Sequence, residues 1–242
     1  MELKGLTALV TGAGGGIGRA IALALADKGV NVVLFGGKNL EKLSATANTV
    51  RNKGVNCIAE PCDLTDYTSM CSAFDKVKQQ VGKIDVLVNN AGMAYNEPLE
   101  STPVEIFDKI MNINARAPYL LTQLVLPYLK SSKRASIINI SSVVAHAGYP
   151  DQSAYSASKH ALIGFTKSLA KEVYKDGIRV HAVSPGGVYT DMIKIARPDL
   201  TSEGMILPEE IADIVMFLIE NRGNAVIDEI IVHRAPKEPF LV

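Results

Sequence analysis

Short apolar segments alternate with longer amphipathic ones along the whole chain, and this alternation restricts the fold more than any other feature of the sequence. The short segments are rich in β-branched residues and apolar at successive positions, which is typical of strands covered on both faces in a parallel sheet. Seven such strands are predicted, at Leu6–Val10, Asn31–Phe35, Asn56–Glu60, Ile84–Val88, Ser136–Ile140, Arg179–Val183 and Asp228–Val232. The longer segments predict helices near residues 17–28, 39–53, 67–80, 103–129, 152–174 and 208–220.

Strands that alternate with helices predict an α/β fold, because right-handed crossovers place helices on both faces of a doubly wound parallel sheet. We therefore expect a Rossmann-like sheet of seven strands in the order 3-2-1-4-5-6-7. No segment rich in Pro, Gly or Ser interrupts the alternation, and the sequence contains no internal repeat. Residues 1–242 are accordingly predicted to form a single domain.

The composition argues against several classes of protein. The chain carries 25 basic and 25 acidic side chains, so it lacks the basic excess of nucleic-acid-binding proteins. No apolar run approaches the roughly 20 residues that a membrane span requires, and we expect no signal peptide before the first strand. The odd number of cysteines (Cys57, Cys62 and Cys71) predicts reduced thiols and a cytoplasmic protein. The scattered histidines suggest no metal site.

A glycine-rich turn joins the first predicted strand to the first helix. Its spacing is G-x-x-x-G-x-G, whereas the general dinucleotide pattern G-x-G-x-x-G fits no frame. Gly12 allows a tight turn, Gly16 lacks the Cβ that would hold a pyrophosphate away, and Gly18 lets the helix approach the sheet. The helix N-terminus then offers free N–H groups to phosphates. The alternative is a glycine-rich turn without a ligand. The predicted dinucleotide contacts here are Gly12, Gly14, Gly15, Gly16, Ile17 and Gly18.

The end of the second predicted strand bears on the choice of dinucleotide. Enzymes that prefer NAD usually place an Asp or Glu about 20 residues after the glycines, on the ribose 2′-hydroxyl. Here the strand runs into Gly36, Gly37 and Lys38, which leave room for a 2′-phosphate and offer it a cation. The sequence therefore favours NADP(H) over NAD(H), while Lys38 is equally consistent with an ordinary solvated lysine.

Three residues after the fifth predicted strand have the chemistry of a carbonyl-reducing site. Tyr155 and Lys159 are four residues apart on a predicted helix and so share one face. A nearby ammonium and the positive helix N-terminus are expected to lower the pKa of Tyr155, which would then exchange a proton near neutral pH. Ser142 follows a strand at its carboxyl end, where open α/β sheets bind ligands. A Tyr–Lys pair alone is common on surface helices, and its combination with Ser142 and the glycine turn indicates an active site.

Taken together, these motifs resemble the short-chain dehydrogenase/reductase superfamily over nearly the whole chain. The resemblance rests on Thr11-Gly12-x-x-x-Gly16-x-Gly18, Cys62-Asp63-Leu64, Asn89-Asn90-Ala91-Gly92, Asn114, Ser142, Tyr155-x-x-x-Lys159 and Ser184-Pro185-Gly186. It implies hydride transfer between a nicotinamide cofactor and a carbonyl carbon of a small molecule. Tyr155 would be the general acid/base, and Ser142 would orient the substrate oxygen.

The resemblance also implies roles for residues that the spacing alone does not explain. Asn114 would hold a water that joins Lys159 to solvent, Lys159 would also bind the nicotinamide ribose, and Val188 and Thr190 would contact the carboxamide. The catalytic residues so implied are Asn114, Ser142, Tyr155 and Lys159. The cofactor contacts so implied, beyond the glycine turn and Lys38, are Asp63 and Leu64 beside the adenine, Asn90, Ala91 and Gly92 in the cofactor trough, and Tyr155, Lys159, Pro185, Gly186, Val188 and Thr190 towards the nicotinamide.

Two departures from the family pattern affect the expected cofactor and substrate. Members that use NADP often carry a basic residue before the middle glycine and an arginine after the second strand, where this chain has Gly15 and Gly37. Many relatives end the last strand with a glycine-rich stretch that helps to build a tetramer, whereas this chain has the segment 224–234 and a charged, proline-containing tail. That ending is similar to a branch of small reductases for hydroxy acids, diketones and other carbonyls. The alternatives are a 3-oxoacyl-acyl-carrier-protein reductase and a dinucleotide-binding sensor without turnover.

The segment 188–207 is expected to cover the substrate. Together with the loop before the catalytic helix it supplies apolar side chains, namely Val143, Val144, Tyr149, Met192, Ile193, Ile195 and Met205. Such walls favour a ketone or diketone, whereas Lys194 and Arg197 would meet an anionic group unless they are simply solvated. His146, in the same loop, has no evident partner and is more simply explained as incidental.

The helices predicted at 103–129 and 152–174 have apolar residues on more than one side, including 118–121 and 162–165. In the resembling family these faces form a four-helix dimer contact, commonly within tetramers. We therefore expect a homodimer or homotetramer.

Overall fold

One parallel sheet organises the chain. The computed structural model describes residues 2–191, 193 and 201–238. The strands are β1 (Thr7–Thr11), β2 (Asn31–Gly36), β3 (Cys57–Pro61), β4 (Val86–Asn89), β5 (Ser136–Ile140), β6 (Arg179–Pro185) and β7 (Glu229–Val232). Their order is β3-β2-β1-β4-β5-β6-β7, which confirms the predicted Rossmann-like topology. The predicted strand ends differ from the observed ones by two residues at most.

Helices cover both faces of the sheet. They are α1 (Gly16–Asp27), α2 (Leu40–Arg51), α3 (Tyr67–Lys78), α4 (Val104–Met111), α5 (Ala117–Lys130), α6 (Ser153–Val173) and α7 (Pro208–Glu220). Successive side chains of a strand point to opposite faces, so Ala8 and Val10 of β1 pack with α1, α2 and α7. Leu9 packs on the other face with α3, α5 and α6.

The helix predicted at 103–129 consists of α4 and α5 with a π-helical segment, Asn112–Arg116, between them. The Ala117 N–H bonds the carbonyl of Asn112, five residues earlier. Pro118 gives a physical reason for a change in pattern here, because it has no N–H to donate to the carbonyl of Asn114 as an α-helix requires. The π-helical segment widens the helix at the residue that the resemblance places in the active site.

A row of buried polar side chains ties α5 and α6 to the middle of the sheet. Asn89 of β4 donates from Nδ2 to Thr122 Oγ1 of α5 at 3.2 Å and to Asn139 Oδ1 of β5 at 2.8 Å. Asn139 Nδ2 donates in turn to Thr166 Oγ1 of α6 at 2.8 Å. Because buried amides are costly unless paired, this row fixes α6, the helix that carries Tyr155, against β5.

We expect the Asn139→Ala variant to lose about 2–4 kcal/mol of unfolding free energy, because it leaves Asn89 and Thr166 with unsatisfied buried groups. Urea denaturation followed by circular dichroism measures the loss. Asn48→Ala, which removes an exposed amide on α2, is the matched control and should change stability by less than about 0.5 kcal/mol. Equal effects of the two substitutions would show that the buried row contributes nothing special.

Candidate active site

The glycine turn between β1 and α1 lies at the carboxyl edge of the sheet and has the geometry that its spacing predicts. Gly12 and Gly16 have φ angles of +66° and +50°, in the left-handed region that favours glycine. A Cβ on Gly18 would lie 2.5 Å from the Gly12 carbonyl oxygen and from Asn90 Nδ2, so only glycine lets α1 begin this close to the sheet. Gly15 is extended and its Cβ position is open, which leaves space above the turn.

Hydrogen bonds between β1 and β4 hold this turn in place. The Thr11 hydroxyl accepts from the backbone N–H groups of Asn90 and Ala91, at 2.9 and 3.0 Å. The Asn90 amide donates to the carbonyl of Thr11 at 2.9 Å. Asn90 and Ala91 are therefore structural supports of the turn and also line the cavity beside it.

The Ser142, Tyr155 and Lys159 side chains meet above β5. Ser142 is the second residue after β5, and Tyr155 lies in the first turn of α6. The Ser142 hydroxyl hydrogen-bonds the Tyr155 phenol. Lys159 Nζ lies 5.8 Å from the centre of the Tyr155 ring and donates to the Ile140 carbonyl at 2.9 Å. The three residues predicted to perform the chemistry thus share one site.

The pKa values in this site differ from the expectation based on spacing. Burial raises the pKa of the Tyr155 phenol, and the hydrogen bond from Ser142 opposes that rise. Burial also lowers the pKa of Lys159 to about 8. The prediction that Lys159 lowers the pKa of Tyr155 is wrong for this structure, because burial of the phenol raises its pKa and the Lys159 Nζ donates to the Ile140 carbonyl instead.

Asn114 lies in the π-helical segment and is fully buried. Its side chain accepts from the Met93 N–H at 2.9 Å and donates to the Met93 carbonyl at 2.8 Å and to Ser158 Oγ at 2.9 Å. A Cβ on Gly92 would lie 2.9 Å from Asn114 Oδ1 and 3.7 Å from Lys159 Nζ. The absence of a side chain at Gly92 therefore leaves room for both Asn114 and Lys159.

A cavity of about 890 Å³ joins the glycine turn to these side chains. Most of the predicted site residues line it, namely Gly12, Gly15, Gly16, Ile17, Asn90, Ala91, Gly92, Ser142, Tyr155, Lys159, Pro185, Gly186, Val188 and Thr190. Gly14, Gly18 and Asn114 are not part of this lining. The cavity runs along the carboxyl edge, where open α/β sheets bind their ligands.

Lys38, Asp63 and Leu64 lie apart from the cavity, at the ends of β2 and β3. Asp63 accepts from the N–H and hydroxyl of Thr65, at 3.0 and 2.7 Å, and these hydrogen bonds lower its pKa. The Lys38 ammonium lowers the pKa of Asp63 further, so the two charges attract each other. Leu64 is buried.

The substrate side of the cavity combines apolar and polar residues. The predicted wall residues Val143, Val144, Tyr149, Ile193 and Met205 all line it. The two ends of segment 188–207 are joined, since the Tyr189 N–H donates to the Ile206 carbonyl at 2.8 Å. Met192, Lys194, Ile195 and Arg197, which we also predicted for this wall or its rim, lie outside the described residues.

His146 does not line the cavity, and its side chain contacts Glu229, a residue that no sequence motif singled out. Its Nε2 lies 2.6 Å from Glu229 Oε1, and the Ser184 hydroxyl donates to the same oxygen at 2.6 Å. The contact joins the loop after Ser142 to β6 and β7. His146 is therefore a support of that loop, and its partner comes from the strand farthest along the chain.

Residues 2–191, 193 and 201–238 contain neither a metal-binding cluster nor a membrane-spanning helix. No group of three or more His, Cys, Asp or Glu side chains there could hold a metal ion. No helix in this part of the chain is long and apolar enough to cross a membrane.

This arrangement has counterparts among known proteins. The profile of the short chain dehydrogenase family matches residues 6–201. The 3-oxoacyl-(acyl-carrier-protein) reductase FabG of Thermotoga maritima is 36% identical over 245 residues, which cover 96% of this chain and 97% of that protein.

Solved structures are similar to the whole chain as well. An alcohol dehydrogenase from the archaeon Thermococcus sibiricus, complexed with 5-hydroxy-NADP, has a TM-score of 0.89 at 26% identity and covers 97% of this chain and 98% of its own. Acetoin dehydrogenase YohF from Salmonella typhimurium has a TM-score of 0.84 at 31% identity and covers 94% of each chain.

Proposed function

We propose that this chain, which belongs to the short-chain dehydrogenase family and is a short-chain oxidoreductase, is an NADP(H)-dependent reductase of small carbonyl compounds. The proposal treats residues 1–242 as one catalytic domain. The observation that carries it is the meeting of Ser142, Tyr155 and Lys159 in one cavity with the glycine turn. This cavity joins an anion-binding edge to an acid–base pair, which suits a dinucleotide beside a carbonyl substrate.

The residues of the turn fit a dinucleotide. Gly12 and Gly16 have backbone angles that keep side chains out of the turn, and the open space at Gly15 admits a phosphate to the N-terminus of α1. When bound, the nicotinamide supplies or accepts the hydride. Pro185, Gly186, Val188 and Thr190 would border it, while Asn90 and Ala91 would line its trough.

Tyr155 moves the proton in this proposal. Its raised pKa keeps the phenol protonated at neutral pH, so it donates a proton to the substrate oxygen as the carbonyl is reduced. Ser142 donates a hydrogen bond to the same oxygen and stabilises the charge that develops there. Lys159 and the π-helical segment at Asn114 complete a path that restores the proton to Tyr155.

The substrate is proposed to be a ketone, a diketone or a hydroxy acid. The apolar wall of Val143, Val144 and Met205 supports this class, as does the similarity to acetoin dehydrogenase YohF. The second candidate is a 3-oxoacyl-acyl-carrier-protein reductase, which the similarity to FabG of T. maritima supports. Rates of NADPH oxidation with 2,3-butanedione, short oxo acids and acetoacetyl-coenzyme A separate the two candidates. The absence of turnover on all of them would leave only a dinucleotide-binding sensor.

The preference for NADP(H) is proposed from the end of β2. No acidic side chain follows Phe35 at Gly36 or Gly37, and Lys38 is exposed at the corner where a 2′-phosphate would lie. A Cβ on Gly37 would have open space around it, and its φ is ordinary. A carboxylate placed there would repel a 2′-phosphate and accept from a 2′-hydroxyl.

We expect Gly37→Asp to raise the KM for NADPH by about 10-fold or more and to lower the KM for NADH, because like charges that face each other cost several kcal/mol. Steady-state rates with each cofactor measure both. Gly82→Asp adds the same charge in open space at the opposite edge of the sheet and should change neither value. Unchanged discrimination in Gly37→Asp would contradict the proposed position of the 2′-phosphate.

A homodimer or homotetramer is proposed from the outer faces of α4 and α5. Phe107 and Tyr119 expose 41% and 52% of their surface there, and the Tyr119 ring lies 5.3 Å from that of Phe165. Apolar patches of this kind are typical of interfaces.

A cytoplasmic location is proposed as well, with support from Cys57, Cys62 and Cys71, all of which are free thiols.

We expect Tyr119→Glu to lower the oligomeric state in sedimentation velocity at micromolar concentration, because a charge in the centre of an apolar interface is costly. Leu40→Glu, which replaces an exposed apolar residue on α2, is the control and should sediment like the parent protein. A parent protein that sediments as a monomer would refute the proposed oligomer.

A further inference from the structure

The chain that follows β7 returns to the cavity and brings cationic side chains to it. The Gly186 N–H donates to the Val232 carbonyl at 2.8 Å, which fixes the end of β7 beside the cavity. Arg234 and Lys237 then line the same cavity as Tyr155. From the sequence we expected apolar walls and the two cations Lys194 and Arg197 of the segment 188–207. No motif predicted that residues after β7 would line the cavity.

Arg234 is half-buried. Among residues 2–191, 193 and 201–238, no carboxylate lies within 4.0 Å of its guanidinium. Its Nη1 donates to Met205 Sδ at 3.0 Å, and a thioether is only a weak acceptor. Its stem packs beside Gly187, where a Cβ would lie 3.5 Å from Arg234 Cδ. The guanidinium is thus held at the cavity with most of its five N–H donors available to an anion.

Among the residues that the structure describes, the other charges that line this end of the cavity form no ion pair with Arg234. Lys237 is exposed and adds a second cation, and Glu238 is exposed beside it. Asp191 lines the cavity as well, but it is bonded to Lys42 of α2 at 2.5 Å. The lining therefore contains a fixed cation that a substrate carboxylate would satisfy.

The position of Arg234 in the sheet separates it from the phosphate site. Four strand spacings divide β1, which carries the glycine turn, from β7, and at about 4.8 Å each they amount to roughly 19 Å. Only two spacings, roughly 10 Å, separate β7 from β5, above which Ser142 and Tyr155 meet. An arginine side chain reaching back from β7 meets the substrate rather than the pyrophosphate.

We propose that Arg234 binds the carboxylate of the substrate, so that the preferred substrates are short oxo acids and the corresponding hydroxy acids. This inference rests on the proposed function and narrows its substrate class. A guanidinium pairs with a carboxylate through two parallel hydrogen bonds. The pair would orient the carbonyl towards Tyr155 and Ser142 while the apolar wall contacts the carbon chain.

The test compares acids with their neutral esters. Rates of NADPH oxidation are measured with 2-, 3- and 4-oxopentanoate and with the methyl ester of each. We expect at least one acid to have a higher kcat/KM than its ester. In Arg234→Met, which retains an apolar stem beside Gly187, the ratio of acid to ester should fall by roughly 10- to 100-fold, with the loss in KM rather than kcat. Arg51→Met, on α2 and away from the cavity, should leave the ratio unchanged.

Several outcomes would overturn the inference. A wild-type preference for the esters, or an unchanged ratio in Arg234→Met, would show that Arg234 does not bind a carboxylate, while the reductase itself would stand. A dependence on Arg234 seen only with acetoacetyl-coenzyme A would assign the guanidinium to the phosphate of a pantetheine arm and reject the oxo acids. A lack of hydride transfer to every acid, ester and thioester would reject the proposed function as well.

Discussion

Tyr155→Phe should lower kcat for carbonyl reduction by about 10³-fold. A positioned general acid contributes typically 10²–10⁴-fold, and Tyr155 is the phenol that hydrogen-bonds Ser142. The substitution removes one oxygen from a side chain that is already packed against the site, so the shape of the cavity is preserved. Initial rates with NADPH and a carbonyl substrate measure the loss, and the change in NADPH fluorescence on binding measures cofactor binding separately.

The dissociation constant for NADPH should change by less than about 3-fold in the same variant, because the phosphate-binding turn and the trough are untouched. Tyr174→Phe removes an equivalent oxygen from a tyrosine that is 63% exposed at the end of α6, and it should retain the full rate. A Tyr155→Phe enzyme that keeps most of its turnover would mean that another group donates the proton.

The fold could be predicted to within a residue or two because both faces of the sheet are buried. A strand such as β2, in which residues 32–35 are all buried, is apolar at successive positions, and this pattern is typical of strands covered on both faces. The glycine turn was predictable for the same physical reason. Glycine is required at Gly12 because φ is positive there, and at Gly18 because a Cβ would lie 2.5 Å from the Gly12 carbonyl oxygen. Both constraints arise between residues that are close in sequence.

What could not be predicted depends on contacts between distant parts of the chain. The π-helical segment at Asn114 has a local signal in Pro118, but its depth of burial follows from bonds to Met93 and Ser158. The pKa of Tyr155 depends on how much water the cavity excludes, and a spacing of four residues to Lys159 carries no information about that. The place of Arg234 depends on where the chain turns after β7, beyond the reach of any motif.

Lys159 is expected to lower the stability of the fold while it increases the rate of catalysis. Its replacement is therefore the second change for which we expect a large effect. Burial lowers its pKa from 10.5 to about 8, so the fold disfavours the ammonium at neutral pH. The folded-state pKa lies below the unfolded-state value, and the folded protein therefore binds fewer protons between pH 8 and 10.5. Over that window, this group makes the unfolding free energy rise with pH, whereas at neutral pH its burial costs stability.

We expect Lys159→Met to lower kcat by about 10²-fold and to raise the unfolding free energy at pH 7 by about 2 kcal/mol, because an unbranched apolar side chain replaces a desolvated cation. Lys167→Met, two turns further along α6 and exposed, is the matched control for both measurements and should change neither. The difference in unfolding free energy between Lys159→Met and the parent protein should shrink as the pH of the urea titration is raised above about 8, because the Lys159 amine of the folded parent protein is then neutral.

The same titration should be visible in the rate. In the parent enzyme, kcat/KM for reduction is expected to fall above about pH 8, because the neutral amine no longer supplies the positive charge beside Tyr155. Lys159→Arg keeps a charge that does not titrate below about pH 12, so whatever activity this variant retains should lack the falling limb near pH 8. A limb that stays near pH 8 in Lys159→Arg belongs to another group. The low pKa of Lys159 would then be a cost of folding alone, without a part in the proton path.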